Sequence, residues 1–303
     1  MSTILNQEII SSILKASQKA AINAFAFIGT GLKNDADAAA VKGMRDVLNK
    51  TNFRGKVVIG EGEKDEAPML FIGEELGTGS VVEFDIAVDP LEGTNLCAND
   101  LPNSLTTIAI APKGSLLKSS EFYMEKLAAA QVYDEGILSL GKSIEENIKN
   151  LAQYKEKKVS EVVVTVLDRP RHKELIAKIR ATGAKVALLS DGDIFGVLST
   201  HEMFGESDLY AGQGGSPEGI LSAIAIKNLG GFMEGRIVKD GEKFPILKLN
   251  DMVKTYGVFV ATGVTGKGFL SRVEELGGGK FFTESVVIAQ NGVQFVENYE
   301  ILL

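Results

Sequence analysis

Asp85-Ile86-Ala87-Val88-Asp89-Pro90-Leu91-Glu92-Gly93-Thr94-Asn95 joins the end of an apolar run to a proline, two carboxylates, a glycine and a hydroxyl. The run 81–89 reads as a strand that delivers Asp89 at its end, and Pro90 then reads as forcing a turn. Glu92 falls beside Asp89 without helical register. Two hard oxygen donors this close suit a divalent cation bridging a phosphate, and the following glycine lets backbone approach an anion. Thr94 adds a hydroxyl at the same place. Taken alone, the string fits a capped turn with solvated acids equally well.

Two further acidic segments weigh toward the metal. Gly60-Glu61-Gly62-Glu63-Lys64-Asp65-Glu66 follows the strand-like run 56–60, and Gly214-Gly215-Ser216-Pro217-Glu218-Gly219 places a carboxylate at a predicted helix start. A proline at the first helical position preceded by glycines is a common N-terminal pattern. A mere cap is the lesser reading of Glu218 there.

Working outward, apolar side chains recur at helical spacing over residues 7–28 (Ile10, Ile13, Leu14, Ala21, Ala24, Phe25), with the small Ser17 on the same face. Gly29-Thr30-Gly31 ends that helix. A second helix is predicted from Asn34 or Asp35 to Asn49, with Asp37 in its first turn. Strand-like runs follow at 105–111, 161–167, 185–190 and 208–212, and later at 257–261 and 285–289. Helices are predicted at 171–180, from Asp193, and at 219–229. The alternation after residue 160 reads as a βαβ unit. The charged stretch 143–158 marks a lobe boundary, giving an N-terminal metal-binding lobe, 1–150, and a C-terminal α/β substrate lobe, 151–303.

The 303 residues carry 32 Lys+Arg against 40 Asp+Glu, a net charge of −8, which excludes a basic nucleic-acid clamp. The longest charge-free stretch, 20–32, is well short of the roughly 20 residues that span a bilayer. No secretory signal pattern opens the chain, so a cytoplasmic location is expected. One cysteine, Cys97, and two histidines, His172 and His201, leave oxygen as the main metal donor and point to Mg²⁺ or Mn²⁺ rather than zinc. Both histidines read as structural or surface residues.

IGEGEKDEAPMLFIGEELGTG (59–79), VDPLEGTN (88–95), DRPRHKELI (168–176), SDGD (190–193) and GGSPEG (214–219), in this order and with these gaps, resemble the class II fructose-1,6-bisphosphatase family. The resemblance covers nearly the whole chain, from the helix before GLKNDADAAAV (31–41) to the C-terminal TESVVIAQNGVQFV (283–296). More distantly, the chain is similar to the lithium-sensitive phosphatases that include inositol monophosphatases. The resemblance implies a layered α-β-α-β-α sugar phosphatase sandwich, an α/β fold, and Mg²⁺- or Mn²⁺-dependent hydrolysis of the 1-phosphate of fructose 1,6-bisphosphate. It further implies metal ligands Asp37, Glu61, Asp89, Glu92 and Glu218. Thr94 would orient the attacking water, with Asp65 a further essential acid and Glu61 also catalytic. The substrate would meet the Glu92-Gly93-Thr94 backbone, Tyr123, Arg169-Pro170-Arg171, Asp191-Gly192-Asp193 and Gly215, with Lys33 and Lys126 as weaker candidates. Where the family reads GDKN, this chain has Gly31-Leu32-Lys33-Asn34, and Asn95 replaces a common residue after the threonine; neither change touches an implied ligand.

The arginines suit the role chemically, because a guanidinium fork matches phosphate geometry. The partner expected is a sugar bisphosphate, with no nucleic acid or membrane and with assembly as a homodimer or homotetramer. Sedoheptulose 1,7-bisphosphatase, dual and inositol monophosphatase activities stand as alternatives. A sugar-phosphate-binding regulatory protein is the non-enzymatic one. A dinucleotide oxidoreductase fits poorly, since Gly212-Gln213-Gly214-Gly215 lacks the GxGxxG spacing.

Overall fold

The computed structural model describes residues 5–62, 69–119, 122–131 and 133–301. The chain forms two compact units, 1–120 with 253–303 and 121–252. The first begins with helices α1 (Gln7–Phe25) and α2 (Lys33–Leu48), then strands β1 (Gly55–Ile59), β2 (Glu75–Leu76) and β3 (Phe84–Glu92), helix α3 (Thr94–Ala98) and strand β4 (Leu105–Pro112). The second holds β5 (Tyr123–Ala129), α4 (Ile144–Tyr154), β6 (Val163–Leu167), α5 (Lys173–Ala181), β7 (Lys185–Leu189), α6 (Asp193–Leu198) and β8 (Leu209–Gly215). It closes with α7 (Ser216–Leu229), β9 (Phe232–Lys239), β10 (Glu242–Lys243), β11 (Leu247–Lys248) and α8 (Leu249–Met252). The chain then returns to the first unit with β12 (Val258–Gly263), β13 (Glu274–Glu275), β14 (Lys280–Ala289) and β15 (Gly292–Ile301).

The first unit is an α-β pair of layers. Its sheet runs β13-β14-β12-β4-β3-β1-β2, with β15 pairing the far side of β14. The apolar stripe of α1 (Ile9, Ile13, Ala16, Ala20) and the apolar face of α2 (Ala40, Met44, Leu48) bury against Val57, Ile86, Ile108, Val260 and Val287. Ser17 sits within that stripe because hydroxyls meet it. Its Oγ lies 2.7 Å from Thr106 Oγ1 on β4 and 2.7 Å from Thr262 Oγ1 on β12, and Thr262 in turn lies 2.9 Å from Ser285 Oγ on β14. A buried hydroxyl is tolerated where such partners satisfy it.

The second unit is α-β-α, its sheet ordered β10-β9-β5-β8-β6-β7. Strand alternation gives each face its own layer. Leu127, Ala129, Val164, Val166, Leu209 and Ala211 pack with Ile148 and Leu151 of α4 and Ile176 and Ile179 of α5. The opposite side chains, among them Met124, Lys126 and Tyr210, meet α6 and α7. β6 and β7 pair in parallel across α5, as the βαβ reading expects. The fold is mixed α/β, as expected.

Three expectations change. The lobe boundary near 150 gives way to crossings at 120–121 and 252–253, because β12 pairs with β4 on one side and β14 on the other, which returns the C-terminal strands to the first sheet. The second helix starts at Lys33 with no side-chain cap, so neither Asn34 nor Asp35 opens it and Asp37 lies past its first turn. The proline does not end β3, which continues through Pro90 to Glu92 with a break in register against β4. Pro90 can sit there because a bulge leaves a residue outside the ladder, where no N–H is required.

Candidate active site

The bulge explains how two carboxylates three residues apart come to one side of a strand. Asp89 opposes Thr107 and Glu92 opposes Leu105, so Pro90 and Leu91 together face the single residue Thr106. In a regular strand residues i and i+3 point to opposite faces; one inserted residue resets that parity. Asp89 and Glu92 accordingly offer carboxylate oxygens within 4.8 Å of each other. Glu92 is buried and Asp89 half-buried. The local frame is tied down: Leu91 N–H donates to Asp89 Oδ1 at 3.2 Å, Thr107 Oγ1 donates to the Asp89 carbonyl at 3.2 Å, and Ser104 Oγ donates to the Glu92 carbonyl at 3.1 Å.

Gly93 follows with φ +75°, the left-handed region, and a Cβ there would also press on the Leu96 side chain. Glycine is thus required for the chain to turn from β3 into α3. Thr94 is the first residue of that short helix and is half-buried.

A second carboxylate pair lies on other elements of the same unit. Asp37 of α2 shares a hydrogen bond with Glu61, just past the end of β1. Burial pushes the Asp37 carboxyl above its ordinary value, and the bond to Glu61 pulls it down without cancelling that rise. Two acids joined in this way need one proton between them, and a cation would satisfy both oxygens in its place. Both pairs therefore fit hard divalent ions. Asp65 lies outside the described residues. Lys33 is exposed.

In the second unit, the glycines of β8 are explained by what lies against them. A Cβ on Gly214 would fall on the Asp193 carboxylate, and one on Gly215 would fall on the carboxylate of Glu218 in the first turn of α7. Asp193 is buried; Lys126 Nζ and the Tyr210 hydroxyl both donate to it. Lys126, only 1% exposed, is thus an internal partner of Asp193. Asp191 pairs with Arg169, whose Nη2 donates to Oδ1 at 3.0 Å. Gly192 takes φ +92° to start α6. Pro170 opens the 3₁₀ turn that carries Arg171, and the Arg171 guanidinium lies over the Tyr123 ring at 5.0 Å from its centroid. Tyr123 is exposed rather than core.

The roles of Tyr210 and Gln213 went unread in the sequence, and His172, read as a structural or surface residue, is buried. A glycine-rich strand next to acids is the signal that side chains crowd its backbone, but it does not say which ones.

The chain is similar to curated relatives named D-fructose 1,6-bisphosphatase class 2/sedoheptulose 1,7-bisphosphatase. One from Synechococcus sp. (strain RCC307) is 44% identical over 273 residues, covering 90% of this chain and 78% of that protein. Another, from Synechococcus sp. (strain CC9902), is 41% identical over 291 residues, covering 95% and 86%. Among solved structures, an inositol monophosphatase from Anabaena (Nostoc) sp. PCC 7120 aligns at 14% identity and a TM-score of 0.33 over 63% of this chain and 69% of its own, too loosely to decide anything. The family described as bacterial fructose-1,6-bisphosphatase, glpX-encoded, matches residues 7–300. With one carboxylate pair at the end of β3, another joining α2 to the end of the adjacent β1, and a match along nearly its whole length, this chain belongs to that family.

Proposed function

We propose that the protein is a phosphoric monoester hydrolase that converts fructose 1,6-bisphosphate to fructose 6-phosphate and inorganic phosphate. The observation that carries this reading is the bulge at Pro90-Leu91, which sets Asp89 and Glu92 side by side at the end of a buried strand. Asp37, Glu61, Asp89 and Glu92, with Glu218 as the fifth ligand of the family pattern, would hold Mg²⁺ or Mn²⁺. Bound there, such ions neutralise phosphoryl charge and lower the pKa of water.

The remaining work falls to the chain's own groups. The Thr94 hydroxyl orients the attacking water, and Asp65 takes up its proton, with Glu61 alongside. The peptides from Glu92 to Thr94, open at Gly93, lie close to the phosphate being cleaved. Arg169 and Arg171 grip the phosphate that is not cleaved, with Tyr123 under Arg171. Asp191 and the backbone of Gly192 and Gly215 meet the sugar. Asp193, already engaged by Lys126 and Tyr210, keeps that loop in place.

Sedoheptulose 1,7-bisphosphate presents the same two phosphates on a sugar one carbon longer, and the relatives' name carries both activities. No helix among the described residues is long and apolar enough to cross a membrane. We place the enzyme in the cytoplasm, with no nucleic-acid or membrane partner, as a homodimer or homotetramer. Exposed Phe295, Tyr299 and Ile301 on the edge strand β15 support assembly.

Phosphate release from fructose 1,6-bisphosphate, sedoheptulose 1,7-bisphosphate and inositol 1-phosphate, with Mg²⁺, with Mn²⁺ and after exhaustive chelation, tests the reading. Activity on the bisphosphates should vanish on chelation and return with metal. Asp89→Asn should lower turnover about a thousandfold or more, since it weakens a charge clamp worth several kcal/mol. Undiminished activity without metal, or an active Asp89→Asn enzyme, would overturn it.

A further inference from the structure

His172 takes no part in the chemistry above, yet its ring touches the turn that carries both arginines. It is 3% exposed. Its Nδ1 lies 2.7 Å from the Leu167 carbonyl at the end of β6, and its Nε2 lies 2.8 Å from the Gln213 N–H on β8. Those partners dictate the tautomer. A carbonyl only accepts, so Nδ1 carries the proton; a peptide N–H only donates, so Nε2 is bare. The ring fits because Gly212 has no side chain: a Cβ there would stand 3.3 Å from the imidazole. Burial, the largest influence, holds His172 below its ordinary pKa against the pulls of the Leu167 carbonyl and Asp193, with the Arg171 charge acting alongside burial, and so favours this neutral form.

The Gln213 peptide is held from both ends. Its N–H goes to His172, and its carbonyl accepts from Arg171 Nε at 2.9 Å. With Nε engaged, the two Nη groups of Arg171 are the donors that can face an anion. We propose that His172 is a positioning residue for Arg171: its neutral, Nδ1-protonated ring sets the Gln213 peptide, and that peptide's carbonyl sets the guanidinium in the attitude that grips the uncleaved phosphate. This rests on the reading of Arg171 as a phosphate ligand.

A double-mutant cycle on the full, metal-loaded chain tests it, with His172→Phe, Arg171→Ala and the double variant assayed on fructose 1,6-bisphosphate and fructose 1-phosphate. Thermal unfolding is followed alongside; if the Phe variant does not fold, His172→Gln, which offers an acceptor to the Gln213 N–H, replaces it in the cycle. Arg171→Ala should raise the bisphosphate KM roughly ten- to hundredfold, the cost of a lost charge-assisted bond, with little effect on the monophosphate KM. His172→Phe should raise the same KM about three- to tenfold with kcat within about twofold, and the double variant should be no worse than Arg171→Ala alone, the signature of two residues acting as one. His172→Gln should recover part of the loss. If the two effects multiply in the double variant, or His172→Phe harms both substrates alike, His172 is a core residue and the inference falls. If Arg171→Ala alone leaves the bisphosphate KM unmoved, the phosphate reading fails first and takes the inference with it.

Discussion

Thr94 stands at the point where β3, after its bulge, turns through Gly93 into a short helix. Its proposed task needs a hydroxyl and nothing else of its side chain. Thr94→Val keeps the branched shape and should cut turnover by about 10² to 10⁴, the usual contribution of a positioned proton-transfer group, while Thr94→Ser should retain most activity. Steady-state rates with a metal titration on each variant check this: metal affinity should hold steady, and a Val variant rescued by extra metal would refute the assignment. Asp89, Glu92 and Thr94 were legible at this scale because each stands beside a proline or glycine that marks a turn of the chain. Lys126 was not legible as a core residue, because a buried lysine is stable only against a partner, and that partner, Asp193, arrives from another element.

Among elements, Asp208 is the fastening between the end of α4 and the sheet of the second unit. Its Oδ1 accepts from Lys155 Nζ at 2.6 Å and from Lys157 Nζ at 2.8 Å, and its Oδ2 accepts from the Val163 N–H at 3.0 Å. Burial alone would raise this carboxyl, but the two lysines and the peptide outweigh it and hold it below its ordinary value of 3.8. A depressed folded pKa means the unfolded chain takes up the proton first as pH falls. The stabilisation is therefore complete above the unfolded value and disappears as pH drops through the folded one. Asp208→Asn should destabilise the protein by about 1.5–3 kcal/mol at pH 7. Urea denaturation across pH should show that gap closing below about pH 4, in the range where the unfolded carboxyl titrates. A gap that persisted unchanged in acid would mean the two lysines contribute nothing.

Strand β15 shows the limit of periodicity at the same scale. Its alternate residues Phe295, Tyr299 and Ile301 are exposed. Val296, on the other face, packs into the core of the first unit. Apolar side chains on both faces hide the period-2 signal that marks a half-buried strand. β5 escapes for another reason: Met124, Glu125, Lys126, Leu127 and Ala128 are all good helix formers, and only pairing with β8 and β9 makes them a strand.

For the molecule as a whole, the first unit is discontinuous in sequence, and β12 is the reason. All six of its residues are buried between β4 and β14. A chain ending at residue 252 would leave β4 with an unpaired buried edge and α1 without much of its floor, so the first unit should not fold. Limited proteolysis should then cut within α1 and α2, and circular dichroism should lose more structure than the removed strands contain. A truncated chain with cooperative unfolding and protected N-terminal helices would contradict this.

The sequence by itself determined what local chemistry can encode. The 3.6-residue stripe of α1, the acids at the ends of apolar runs, the glycines and prolines at turns, and the family motifs from residue 59 to 219 were all readable from neighbours a few positions apart. Tertiary structure alone decided the rest. The parity that brings Asp89 and Glu92 together exists only because β4 pairs with β3 and leaves Pro90 and Leu91 facing one residue. The place of residues 253–303 depends on β4 as a partner for β12, and the tautomer of His172 depends on a peptide 41 residues away in sequence. Strand pairing, burial and proton position are set by what lies across space, and no spacing along the chain carries that information.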